Sequence, residues 1–139
     1  MTKRGVLIAM AIASATGAHA DTAEARTSVK VALGVDEARD ELFGVEFFGE
    51  VGRPGQPWTE CIEPNGKTVY RIGSETSVGM MRVSPAGEAC FTYETGGDAC
   101  FRVTRTEDGG YAFWGVGAPF VATKVRRNVE TCSETPAIS

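Results

Sequence analysis

The residues able to do chemistry are few, and the most telling is one that is almost missing. The 139-residue chain has a single histidine, His19. It falls inside a segment that reads as an export signal, so the processed chain is expected to carry none. Without imidazole there is no Ser-His-Asp triad, no Cys-His pair and no histidine metal centre. The four cysteines are Cys61, Cys90, Cys100 and Cys132. An even number in an exported chain points to disulfides, with three pairings possible. Cys90–Cys100 within one hairpin, with Cys61–Cys132 tying an early strand to the tail, is the favoured set. Paired cysteines leave no thiol nucleophile. With no CxxC motif either, no metal and no other cofactor is expected.

Carboxylates remain. Glu46, Glu50, Glu60 and Glu63 are candidates, by residue type, for the carboxylate pair of a glycoside hydrolase. The plainer expectation puts all four at outward positions on half-exposed strands, with no catalytic residue among them. No Gly-rich phosphate loop is visible. Most glycines stand in turns, where Gly supplies positive φ.

The elements that must position these groups centre on Ala89 to Val103, which reads as a β-hairpin. Two runs rich in aromatic and β-branched residues flank Gly96-Gly97-Asp98. Phe91, Tyr93, Ala99, Phe101 and Val103 are odd-numbered, so a register pairing odd with odd puts them on one face. The same register puts Cys90 and Cys100 together on the other.

Around the hairpin the chain reads strand, turn, strand. Asp36 is a candidate cap for a short helix ending at Gly44. About eight short strands follow at intervals of roughly 8–12 residues, with no crossover of helical length. Such spacing predicts an all-β antiparallel meander, a small closed or partly open barrel with a short N-terminal helix. A two-sheet sandwich is the alternative. The expected inward set is Val45, Phe47, Ile62, Tyr70, Ile72, Met81, Val83, Phe91, Tyr93, Phe101, Val103, Tyr111, Phe113, Val121 and Val125.

Residues 1–20 have the form of a signal peptide. Lys3 and Arg4 precede an apolar run from Val6 to Ala13, and Ala18-His19-Ala20 is a small-x-small cleavage site. A flexible leader over 21–34, one domain over 35–128 and a disulfide-held tail over 129–139 complete the expected organisation. Losing Lys3 and Arg4 leaves 12 basic against 18 acidic residues, a formal net charge of −6. An acidic chain without a basic cluster is a poor nucleic-acid binder. The expected location is periplasmic or secreted, with no membrane insertion after cleavage.

Phe48, Trp114 and Phe120 fall opposite the expected core. They form the candidate binding patch, with Met80 a further member.

The hairpin sequence resembles small exported proteins of Gram-negative bacteria, many of unknown function. The resemblance is carried by Asn65-Gly66-Lys67-Thr68-Val69-Tyr70, Gly79-Met80-Met81-Arg82-Val83, Cys90-Phe91-Thr92-Tyr93 and Cys100-Phe101-Arg102-Val103. It spans about forty residues and implies a fold without an activity or functional residues. The Gly-x-Trp of lipocalins is absent. The likeness to periplasmic protease-inhibitor barrels extends only to size, export and strand count. The expected function is a non-catalytic exported binding module, with inhibition of an exported hydrolase as one form of it. The alternatives are a carrier of a small apolar ligand and a carboxylate-based hydrolase. A void inside the barrel would favour the carrier.

Overall fold

The central hairpin forms in a register that pairs odd with odd. Cys90 stands opposite Cys100, Phe91 opposite Ala99 and Ala89 opposite Phe101. In the computed structural model, which describes residues 31–134, this hairpin is part of a closed antiparallel barrel. The expected signal peptide, most of the expected leader and the end of the expected tail lie outside the described residues.

One helix precedes eight strands: α1 (Val35–Glu41), then β1 (Val45–Val51), β2 (Gln56–Ile62), β3 (Lys67–Ile72), β4 (Glu75–Val83), β5 (Ala89–Tyr93), β6 (Asp98–Arg105), β7 (Tyr111–Trp114) and β8 (Phe120–Arg127). Each strand pairs with the next, and β8 closes on β1. Closure removes the two exposed edges that an open sheet would have to protect.

One end of the barrel is filled. Leu33, Ala38 and Leu42 are buried in one cluster with Val45, Ile62, Met81, Ala89 and Val103. The helix is capped by Gly34, whose N–H donates to Glu37 Oε1 at 3.3 Å. Asp36, the expected cap, sits instead inside the first turn, where its charge favours the helix dipole. Arg105 on β6 pairs with Glu37 and Glu41, and the Tyr111 hydroxyl on β7 donates to Glu41 Oε1 at 2.8 Å. These links fasten α1 to the barrel end. Gly44, at φ 66°, turns the chain from the helix into β1. The last residues of the expected leader belong to the fold, because Leu33 is buried and its N–H donates to the Val103 carbonyl at 2.8 Å.

Both favoured disulfides are present, Cys61–Cys132 and Cys90–Cys100. The first draws the tail across the outer face of β2 and β3. There Val129 and Cys132 form a second apolar cluster with Cys61 and Val69. The Val129 N–H donates to the Gly44 carbonyl at 2.9 Å, so the tail is held at both barrel and helix junction.

Strand β8 departs from simple alternation. Its register against β1 shifts between Phe48 and Gly49, with Phe48 opposite Lys124 but Gly49 opposite Ala122. This bulge inverts the parity of the strand's first half. Val121, expected inside, pairs with Ala112 on the outer face. Phe120 and Ala122 take the inner face, while Val125, beyond the bulge, points inward as expected opposite Phe47.

Candidate functional site

At the end away from α1 the inward side chains do not fill the barrel. They line a cavity of about 170 Å³ bounded by Trp58, Glu60, Tyr70, Phe91, Tyr93, Ala99, Phe101, Phe113 and Phe120. Seven of these nine are aromatic, and one carries a carboxyl group. The rings meet mostly edge to face: Phe101 stands 6.0 Å from Phe120 and 6.3 Å from Phe113, and Trp58 stands 6.2 Å from Phe120. Edge-to-face geometry suits the ring quadrupoles and holds the walls open without flexible side chains. The Trp58 ring lies over Gly49, where a Cβ would come within 2.7 Å of the indole carbons. Only glycine leaves room for it there.

Glu60 is 6 % exposed. It pairs with Phe47 on β1 and Tyr70 on β3, both inward. Its neighbours are hydroxyls. Tyr93 donates to Oε2 at 2.8 Å, and the Thr68 hydroxyl bonds Oε1 while lying 2.8 Å from the Cys61 carbonyl. A hydroxyl has one hydrogen and a carbonyl only accepts. Thr68 therefore donates to one of these two acceptors at a time, and its donation to Glu60, like that of Tyr93, supports the charged form. Burial works the other way and prevails, pushing the Glu60 carboxyl up to about 7. Burial and the facing carboxyl likewise raise the Tyr93 and Tyr70 phenols.

The other expected carboxylates lie elsewhere. Glu46 is bound by Arg126 at 3.0 Å on the outer surface. Glu63, expected outward, is buried, and its Oε2 accepts the Cys132 N–H at 3.0 Å, so it anchors the tail. Glu50 is exposed, beside Gly55. The four do not converge, and the paired geometry of a glycosidase is not assembled among them. Glu60, expected outward, is the correction that matters most. Ile62 is inside as expected, and alternation carries Glu60 and Trp58 with it.

The expected aromatic patch is not brought together. Trp114 is on the outer face and 38 % exposed, with its indole N–H donated to Thr104 Oγ1 at 2.9 Å. Phe48 lies on the outside of β1 under the Lys124 ammonium, 5.5 Å from the ring centre. Phe120 has turned inward to the cavity lip. Met80 is exposed on β4.

Among the described residues no cluster of His, Cys, Asp or Glu could hold a metal ion, and no helix is long and apolar enough to cross a membrane. The two disulfides fit an oxidising, exported location. Fold and site together define a disulfide-stapled eight-stranded barrel, closed at one end by a helix and hollow at the other. No family model, curated protein or solved structure matches the chain.

Proposed function

We propose that this protein is an exported carrier, periplasmic or secreted, that holds a small and largely apolar ligand in the hollow end of its barrel. One observation supports this above the others: the inward faces of β2, β3, β5, β6, β7 and β8 leave an aromatic cavity instead of a packed core. Interiors normally close to crystal-like density, and a void forfeits contacts on every wall. Replacing Ala99 by a larger residue would remove much of the space. A cavity of about 150 Å³ lined by apolar side chains is enough to bind benzene. The space here suits a ligand of that order. Trp58, one of the walls, also keeps a buried indole N–H with no partner among the described residues.

The test is a thermal and fluorescence titration of the disulfide-bonded protein with toluene and with indole. Saturable binding should raise the melting midpoint by several degrees, since a hundredfold excess over Kd stabilises by about 2.7 kcal/mol. Ala99→Leu should keep the fold and lose the shift. No saturable shift with either probe, or an equal shift in Ala99→Leu, would overturn the reading.

A further inference from the structure

We infer that the ligand is a small organic cation, an ammonium or amidinium on an apolar body, with its charged end at Glu60 and its body among the aromatic rings. This rests on the carrier reading and names the chemistry of the same cavity.

Three features converge on it. First, Glu60 is buried in the cavity wall, and its hydrogen-bond partners are the hydroxyls of Thr68 and Tyr93. Among the described residues the ion pairs go elsewhere: Arg105 serves Glu37 and Glu41, Arg126 serves Glu46, and Lys67 serves Glu134. A buried carboxyl that lacks a cation is expensive, and an apolar residue of similar volume would ordinarily serve stability better. Second, the walls beside it are ring faces and edges, from Trp58, Tyr70, Phe91, Tyr93 and Phe101. The ring faces attract a desolvated cation through the ring quadrupoles. A purely apolar ligand would need the rings and would have no use for the acid. Third, the cavity of about 170 Å³ holds a body of about one ring and has Glu60 in its wall, so an ammonium borne on that body would be within reach of the carboxyl.

The exchange balances. The free site holds one proton on Glu60. When R–NH₃⁺ enters, that proton leaves to solvent, and a carboxylate–ammonium pair remains with the Tyr93 and Thr68 hydroxyls still on the carboxylate. One proton is released for each cation bound below neutrality, and none well above it. The titratable groups facing Glu60 are Tyr93 from β5 and Tyr70 from β3. The facing residue of β1 is Phe47, and Thr68 on β3 does not titrate. Neither phenol ionises near neutrality, because both are raised. The pH response is therefore that of Glu60.

The experiment is calorimetric titration with benzylamine and, in parallel, with toluene, at about pH 8 and about pH 6, in buffers of different ionisation enthalpy. Benzylamine stays protonated throughout. Its affinity should fall roughly tenfold between the two pH values, with proton release appearing at the lower one. Toluene should bind more weakly and without pH dependence. Glu60→Gln should lose most of the benzylamine affinity and keep that for toluene. If that variant does not fold, the proton release of the unaltered protein decides. Toluene binding without benzylamine binding overturns the cation inference and leaves the carrier standing. Benzylamine binding with no proton release and no pH dependence overturns it as well. If neither probe binds, both readings fall.

Discussion

Tyr93 and Glu60 meet inside the barrel across two intervening strands, with the phenol donating to Oε2 at 2.8 Å over a separation of 33 residues. Tyr93 comes from β5 and Glu60 from β2. The contact crosses the lumen because Gly79 on β4, the residue paired with both Tyr93 and Thr68, puts no side chain between them. A Cβ at Gly79 would stand 2.1 Å from the Thr92 carbonyl oxygen, so the strands approach there as only glycine allows. The bond fixes the floor of the cavity and pulls its one acid toward ionisation, against the burial that raises it.

That acid should govern a window of pH-dependent stability. The folded-state value of Glu60, about 7, lies above its ordinary value of 4.5. Between those values the folded chain keeps a proton that the unfolded chain has lost. Stability from this group is then complete below about pH 4.5, declines as pH rises, and is lost above about pH 7, by roughly 3 kcal/mol in all. Urea melts from about pH 4 to pH 8 on the protein and on Glu60→Gln measure it by difference. The gap should move in favour of Gln as pH rises. A constant gap would mean that Glu60 titrates normally.

Thr68 should be costly to replace despite its small size. It is fully buried, with its hydroxyl between Glu60 and the Cys61 carbonyl. Thr68→Val keeps shape and β-branching and removes only that hydroxyl. Glu60 Oε1 loses its hydroxyl partner in a buried setting, at a cost of about 1–3 kcal/mol. The same change should move the Glu60 titration still higher, because one of the two bonds favouring its charged form is gone. A melt unchanged from the parent would show that the Thr68 hydroxyl does not hold Glu60 in solution.

The architecture was largely legible because antiparallel strands announce themselves by period and turn. Parity puts Cys90 and Cys100 on one face of the hairpin, and pairing them leaves Cys61 for Cys132, as the structure has it. Parity also located Glu60, two residues before Ile62, but residue type argued for an outward position and prevailed. A buried acid breaks the usual rule that carboxylates face water, and a site is where such a breach is expected. Phe120 and Val121 were misplaced for a different reason. The β8 bulge adds one residue against β1, and nothing in Phe-Val-Ala-Thr-Lys marks it. The hollow was equally hidden, since volume is set by the relative placement of rings from six strands.

The two disulfides should differ in what they hold. Cys61–Cys132 closes a separation of 71 residues, against 10 for Cys90–Cys100. In the chain-entropy account these loops are worth about 4 and about 3 kcal/mol. Losing the longer one should cost more again, because it frees the tail that covers Val69 and leaves Glu63 without the Cys132 N–H. Paired alanine variants, Cys61→Ala with Cys132→Ala and Cys90→Ala with Cys100→Ala, should melt in that order. The reverse order would place the fold's weak point in the hairpin.

Phe113 and Trp114 are sequence neighbours on opposite faces of β7, and they separate core from surface. Phe113 is 5 % exposed, with its ring 5.2 Å from Phe47 and 6.3 Å from Phe101. Phe113→Ala should cost roughly 3–5 kcal/mol. Trp114→Ala removes a half-exposed ring and the N–H bonded to Thr104, itself 1 % exposed. A loss of about 1–2 kcal/mol is expected there, from one hydrogen bond and partial cover. Ligand binding should separate them further. Phe113 is a wall of the cavity, so its truncation should loosen the grip on a one-ring probe. Trp114 faces away, and its truncation should leave probe affinity unchanged within about twofold, an expectation that rests on the aligned alternation of β6 and β7. Urea melts give the stability order, and calorimetric titration of a one-ring probe gives the other half. Weakened probe binding in Trp114→Ala alone would put the site on the outside of the barrel.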